Sequence, residues 1–218
     1  MNSRTIGVFD SGVGGFAFVK AIQRELPQHE VIFANDAAHV PYGTKPIEET
    51  YGYVVPILQE MVRQGCELIV IACNTVTTNL IDRLRKVITV PLIGVEPMVK
   101  VAAQKTRTNK IIVCATPATL NSKRYAKLKE DFAQNIQVIE PDCGNWSYLI
   151  ESNRINHEHI AEVIEPGLKR GADVIVLGCT HYHWIDEEIQ LVADKRAAVI
   201  NPEKPVVEQV TRVLAQLP

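Results

Sequence analysis

The sequence predicts an α/β protein of two pseudo-symmetric lobes, each a mostly parallel sheet flanked by helices, with an active site in the inter-lobe cleft. Three observations carry this. Short apolar runs alternate with helix-period segments along almost all of the 218 residues, the pattern of a parallel sheet covered on both faces. Two stretches repeat internally. "GCELIVIACNT" (Gly65–Thr75) aligns without a gap on "GADVIVLGCTH" (Gly171–His181), and "IGVFDS" (Ile6–Ser11) aligns on "IIVCAT" (Ile111–Thr116). The two shifts, 106 and 105 positions, are nearly equal. The repeat sets the lobes at residues 1–95 with about 203–218, and residues 96–202.

In chain order, "TIGVFD" (Thr5–Asp10) reads as a strand and "GFAFVKAIQREL" (Gly15–Leu26) as an amphipathic helix. "EVIFAND" (Glu30–Asp36) is the next strand. A loop leads from it to a long helix over Ile47–Gly65, expected to be interrupted near Pro56. "ELIVIACN" is a strand, "TTNLIDRLRKVI" a helix and "PLIGVE" a strand. A helix from about Met98 precedes the strand "NKIIVCAT". There follow a helix near Ser122–Phe132, the strand "IQVIEP", helices through Trp146–Arg170 and the strand "DVIVLGCT". A helix near Asp186–Ala193, the strand "AAVINP" and a helix over Val206–Leu217 complete the pattern.

Composition narrows the function. Apolar residues at 46%, charged residues at 22% and a net charge of −2 are ordinary globular values. They argue against nucleic-acid or membrane-surface binding through bulk charge. No apolar run approaches a membrane span, and the N-terminus lacks a signal-peptide core, so a cytoplasmic location is expected. The five cysteines, Cys66, Cys73, Cys114, Cys143 and Cys179, are odd in number and widely spaced, unlike a disulfide framework. Cys179-Thr180-His181 is too tight to supply two tetrahedral ligands, so no metal site is expected. The glycine-rich "DSGVGG" (Asp10–Gly15) lacks the Lys-Ser/Thr ending of a phosphate loop and suits a carboxylate better than a nucleotide.

Ligands of open α/β sheets bind beyond the carboxyl ends of the strands. Four such ends carry polar groups: Asp10-Ser11, Cys73-Asn74-Thr75, Ala115-Thr116 and Cys179-Thr180-His181. Facing lobes would bring Cys73 and Cys179 to opposite walls of one cleft, with a proton acceptor on one face of a carbon and a donor on the other. Stereoinversion requires that arrangement. A thiolate is a polarisable, weakly hydrated base whose reference pKa of about 8.5 falls near helix N-termini and cations. His181 is the candidate proton partner of Cys179, and Asp10 that of Cys73. Buried cysteines often merely pack, and that is the reading for Cys66, Cys114 and Cys143. Ser11, Gly43, Asn74, Thr75 and Thr180 would supply neutral donors, since no arginine lies in these motifs.

With "GVFDSGVGG", "PYG" (Pro41–Gly43) after Asp36, "IACNT", "TPATLNSKRY" (Thr116–Tyr125) and "LGCTHY" in order, the chain resembles the glutamate racemases of the aspartate/glutamate racemase superfamily. The resemblance implies two α/β lobes clasping the substrate and catalytic cysteines at Cys73 and Cys179. It implies assisting groups at Asp10, His181 and Glu151, and substrate contacts at Ser11, Tyr42, Gly43, Asn74, Thr75, Thr119 and Thr180. It implies interconversion of L- and D-glutamate without pyridoxal phosphate, metal or nucleotide, the D-glutamate feeding peptidoglycan synthesis. The partner is the amino-acid substrate, with no nucleic acid or membrane; a homodimer is left open.

Three departures stand out. "HYH" (His181–His183) replaces the family's usual "HYP", and His183 is expected at the surface. "VTTN" follows "CNT" where a more Ala-Ser-rich segment is common. The chain ends at Pro218, where family members usually continue with another strand and helix, which leaves the first lobe expected to be less covered. Rival readings are an aspartate or other acidic amino-acid racemase, a silent binding protein with the same cleft, and a thiol-redox or cysteine-hydrolase role based on His181.

Overall fold

A computed structural model describes residues 3–218. By contact density the chain divides into two units, Met1–Val95 with Pro202–Pro218, and Glu96–Asn201. In the first, β1 (Thr5–Asp10), α1 (Phe16–Glu25), β2 (Glu30–Asn35), α2 (Ile47–Arg63), β3 (Leu68–Ile71), α3 (Asn74–Leu84) and β4 (Leu92–Gly94) follow one another. The second runs α4 (Val99–Lys105), β5 (Lys110–Ala115), α5 (Pro117–Leu120), α6 (Lys123–Phe132), β6 (Gln137–Ile139), α7 (Trp146–Glu151), α8 (His157–Lys169), β7 (Val174–Gly178), α9 (Asp186–Ala193) and β8 (Ala198–Ile200). The chain then returns to the first unit as α10 (Glu203–Leu214).

Each unit holds one four-stranded parallel sheet, in the order β2-β1-β3-β4 and β6-β5-β7-β8. The orders are the same, and so is the register. Ile6 lies opposite Leu68 and Phe9 opposite Ile71 in one sheet; Ile111 lies opposite Val174 and Cys114 opposite Leu177 in the other. Those pairs are related by the shifts read from the sequence. Alternation of side chains across the pleat divides each core in two. Ile6, Val8, Leu68 and Val70 pack on α1 and α10 through Phe18, Ile22, Val206 and Val210. Phe9, Ile69 and Ile71 face α2 and α3 through Leu58, Met61, Leu80 and Leu84. In the second unit Ile112, Cys114, Ile175 and Leu177 face α8 and α9, while Ile111, Val113, Val174 and Val176 face α4 and Tyr125 of α6.

The helix that precedes the cysteine-bearing strand ends in the same way in both units. Gly65 and Gly171 take left-handed φ values of 93° and 87°. The next N–H reaches back five residues, from Cys66 to Met61 and from Ala172 to Gly167. This is a glycine-closed helix end that satisfies otherwise unpaired carbonyls.

One expectation is corrected, and two short elements are added. The helix over Ile47–Arg63 runs through Pro56 without interruption. Pro56 and Gly52, whose carbonyl loses its donor, are both exposed, so water can replace that bond and glycine eases the ring's approach. Beyond Cys179 the chain forms a 3-10 turn over Thr180–Ile185 before α9, and a short α5 precedes α6.

Candidate active site

In the first unit the β1–β3 register, carried two residues past Phe9 and Ile71, sets Ser11 beside Cys73. The Ser11 hydroxyl lies 3.5 Å from the Cys73 sulfur, and both residues are buried. Cys73 is the N-cap of α3, whose first turn is Asn74 and Thr75. Helix amides are unsatisfied at that end and favour negative charge. Asn74 is 3% exposed, yet neither its amide nitrogen nor its amide oxygen has a hydrogen-bond partner among the described residues. A buried amide left this way costs about 1–3 kcal/mol unless a ligand meets it.

Asp10 is fully buried at the end of β1, its carboxylate accepting from the N–H groups of Gly12 (3.4 Å) and Gly15 (3.0 Å). Glycine is required at position 15 because a Cβ there would lie 2.7 Å from that of Asp10. Tyr42 and Gly43 are buried in a 3-10 turn, where the Tyr42 hydroxyl donates to Asp36 at 2.6 Å. Burial, with the Asp36 carboxylate beside it, pushes the phenol well above its ordinary range, so Tyr42 stays a neutral donor. Thr75 is buried in the same first turn of α3.

In the second unit Cys179 follows β7 directly and is 7% exposed. His181 Nδ1 lies 3.8 Å from its sulfur, and His181 Nε2 lies 2.7 Å from Glu151 Oε1 on α7. Thiol, imidazole and carboxylate therefore form a chain in which the carboxylate fixes the ring orientation. One helical turn before Glu151, the Ser147 hydroxyl lies 3.6 Å from the Cys179 sulfur. Thr180 is buried next to Cys179. Thr119 is fully buried, its hydroxyl accepting from Thr116 at 3.1 Å.

The remaining cysteines have different surroundings. Burial, with a smaller contribution from Glu30, pushes the Cys66 thiol up to about 11. Cys114 is fully buried, and its thiol is raised by a hydrogen bond with Cys143 and by desolvation. His183 is half-buried rather than exposed: both ring nitrogens are covered, and burial, only partly offset by Asp186, lowers its pKa to about 4. It lies within the 3-10 turn over Thr180–Ile185, whose residues Thr180, His181, Tyr182 and Ile185 are buried.

Each unit thus brings a buried thiol and a hydroxyl to the carboxyl end of the corresponding strand. The family model for Asp/Glu/Hydantoin racemase matches residues 6–211. The chain belongs to that family. Glutamate racemase of Ralstonia nicotianae is 37% identical over 215 residues, spanning 96% of this chain and 77% of that protein. Among solved structures, Escherichia coli glutamate racemase in complex with L-glutamate and the activator UDP-MurNAc-Ala is 28% identical with a TM-score of 0.91. It covers 98% of this chain and 83% of its own. Francisella tularensis glutamate racemase in complex with D-glutamate is 30% identical with a TM-score of 0.84, over 99% of this chain and 82% of its own.

For this Asp/Glu/hydantoin racemase chain, sequence reasoning missed Ser147. It is 32 residues from Cys179 and lies outside the aligned repeat. Its spacing of four from Glu151 was the available signal, since that places both on one helix face.

Proposed function

We propose that the protein interconverts L- and D-glutamate by two-base proton transfer. The observation that supports this best is the doubling: each unit carries a buried cysteine at an equivalent strand end, with a hydroxyl 3.5 or 3.6 Å from its sulfur. Cys73 and Cys179 are the two bases. One, as thiolate, takes the α-proton, and the other, as thiol, delivers a proton to the opposite face. The C–H bond that breaks becomes an S–H bond, and the S–H bond that breaks becomes the new C–H bond. Cys179 acts on L-glutamate with His181 and Glu151 behind it, and Cys73 acts on D-glutamate with Asp10 nearby.

Asn74 suits the reacting centre. Its amide offers one donor nitrogen and one acceptor oxygen, both unmet, and an amino acid presents a carboxylate and an ammonium on one carbon. Ser11, Tyr42, Gly43, Thr75, Thr119 and Thr180 complete the proposed set of neutral contacts. A neutral set polarises the α-carboxylate without a competing titration. No helix among the described residues is long and apolar enough to cross a membrane, and the proposed location is the cytoplasm, where the D-glutamate would enter peptidoglycan synthesis.

The test is turnover of L-glutamate followed by circular dichroism in deuterium oxide. D-glutamate formed early should carry α-deuterium while the remaining L-glutamate stays protiated. Alanine at Cys73 or Cys179 should each lower the rate by about 10²–10⁴-fold in both directions. Rapid turnover of L-aspartate with none of L-glutamate would replace the substrate, and deuterium in unreacted L-glutamate would end the two-base reading.

A further inference from the structure

We propose that Ser147 is a positioning residue for Cys179, serving both protonation states of its sulfur; this rests on the racemase reading above. The register argument poses the problem. In the first unit the residue across from the cysteine, Ser11, gives its hydroxyl to Cys73. Its counterpart in the second unit, one residue beyond Ala115 opposite Gly178, is Thr116. Thr116 caps α5, accepting from the Thr119 N–H at 3.3 Å and donating to the Thr119 hydroxyl at 3.1 Å. The hydroxyl at Cys179 comes instead from α7.

Ser147 sits between two partners. Its oxygen is 3.6 Å from the Cys179 sulfur, and on the other side it is close enough to the Tyr182 phenol to act on it. The Tyr182 hydroxyl in turn donates to the Cys143 carbonyl at 2.8 Å, and so has an oxygen lone pair to offer. When Cys179 is a thiol, its S–H can be given to the Ser147 oxygen, while the Tyr182 hydrogen goes to the Cys143 carbonyl. After ionisation the serine O–H swings to the sulfur and stabilises the thiolate. Only a rotatable hydroxyl with both a lone pair and a proton can serve both states. Ser147 gives up no proton; it rotates while Cys179 exchanges its own.

The other groups facing this sulfur do not replace it. His181 Nδ1 stands at 3.8 Å with Glu151 behind its far nitrogen. Tyr182, with Cys143 and Cys114 nearby, is kept protonated by burial and the adjacent thiols, and its hydrogen already goes to the carbonyl. Ser147 is 4% exposed, so water does not compete at that site.

The experiment is iodoacetamide alkylation of the intact protein across pH 5.5–9.5, with the Cys179 peptide quantified by mass spectrometry. In Ser147→Ala the alkylation-versus-pH curve should be displaced to higher pH, with Cys179 labelling about tenfold slower at pH 7, as loss of one bond to a charged group predicts. Catalytic efficiency should fall by a similar factor with KM nearly constant, and Ser147→Thr should recover most of both effects. If alanine lowers thermal stability, Ser147→Val compared with Ser147→Thr decides, since the two match in shape and differ in the hydroxyl. Coincident Cys179 alkylation curves for hydroxyl-bearing and hydroxyl-free variants would overturn the proposal. Displaced curves in a protein that fails to racemise glutamate would leave Ser147 in place and remove the racemase reading instead.

Discussion

Single residues in this protein carry costs in the unliganded fold. Asn74 is the plainest case, with a buried amide that the described residues leave unmet. Asn74→Ala should lower kcat/KM for glutamate about ten- to hundredfold while raising the melting temperature of the free protein. A drop in both would make Asn74 a structural residue. His183 carries the opposite kind of cost. Its folded pKa, about 4, lies below the ordinary value of 6.5, so the unfolded chain binds more protons between those limits. Stability conferred by the neutral ring is present above pH 6.5 and is lost as pH falls toward 4, to a total of roughly 3 kcal/mol. Urea midpoints at pH 7.5 and 4.5 should draw closer together in His183→Gln than in the parent, and an unchanged separation would show that the ring is solvated. The placement of Cys73 and Cys179 at buried strand ends was legible because each ends an apolar run. The covered ring nitrogens of His183 were not, because a 3-10 turn carries no periodic signal, and neither was the approach of Ser147 to Cys179, which depends on a contact between distant segments.

At the scale of elements, strands and long helices were legible wherever apolar spacing repeats, as in β1, predicted over the residues it occupies, Thr5–Asp10. What escaped was set by local hydrogen bonding. The short α5 depends on the Thr116 cap, and α2 continues through Pro56 because solvent meets the freed carbonyl. The aligned glycines offer a paired test. Gly65 and Gly171 each require a left-handed backbone, where a Cβ costs about 1–2 kcal/mol. Among the described residues, leaving aside the chain neighbours, no atom lies within 4 Å of a Cβ at Gly65 and only the tip of Lys110 approaches one at Gly171, so crowding adds little. Gly65→Ala and Gly171→Ala should therefore lose nearly equal stability in denaturant titrations. A loss at one site alone would mean that the two helix ends are not energetically equivalent.

At the scale of the whole molecule, the second unit is an uninterrupted segment and the first is not. Residues 96–201 contain both faces of their own core, and expressed alone they should fold cooperatively by far-UV circular dichroism and urea titration. Residues 1–95 lack α10 and hence Val206, Val207, Val210 and Leu214, which join the core beside α1 and β4. At about 1.5 kcal/mol or more for each buried side chain, that loss approaches the entire stability of a small domain, so this fragment should not fold alone. A cooperative transition from 1–95 would show that α10 is dispensable. The doubled sheet also has a historical consequence. Two copies of one unit in a single gene share an ancestry but not a set of constraints. The β1–β3 and β5–β7 registers are alike, whereas the segments between the second strand and the next long helix differ. There one copy places Tyr42 and Gly43, and the other places Ser147 and Glu151. The repeated scaffold therefore sets where each thiol stands, and the unlike segments set which side chains accompany it.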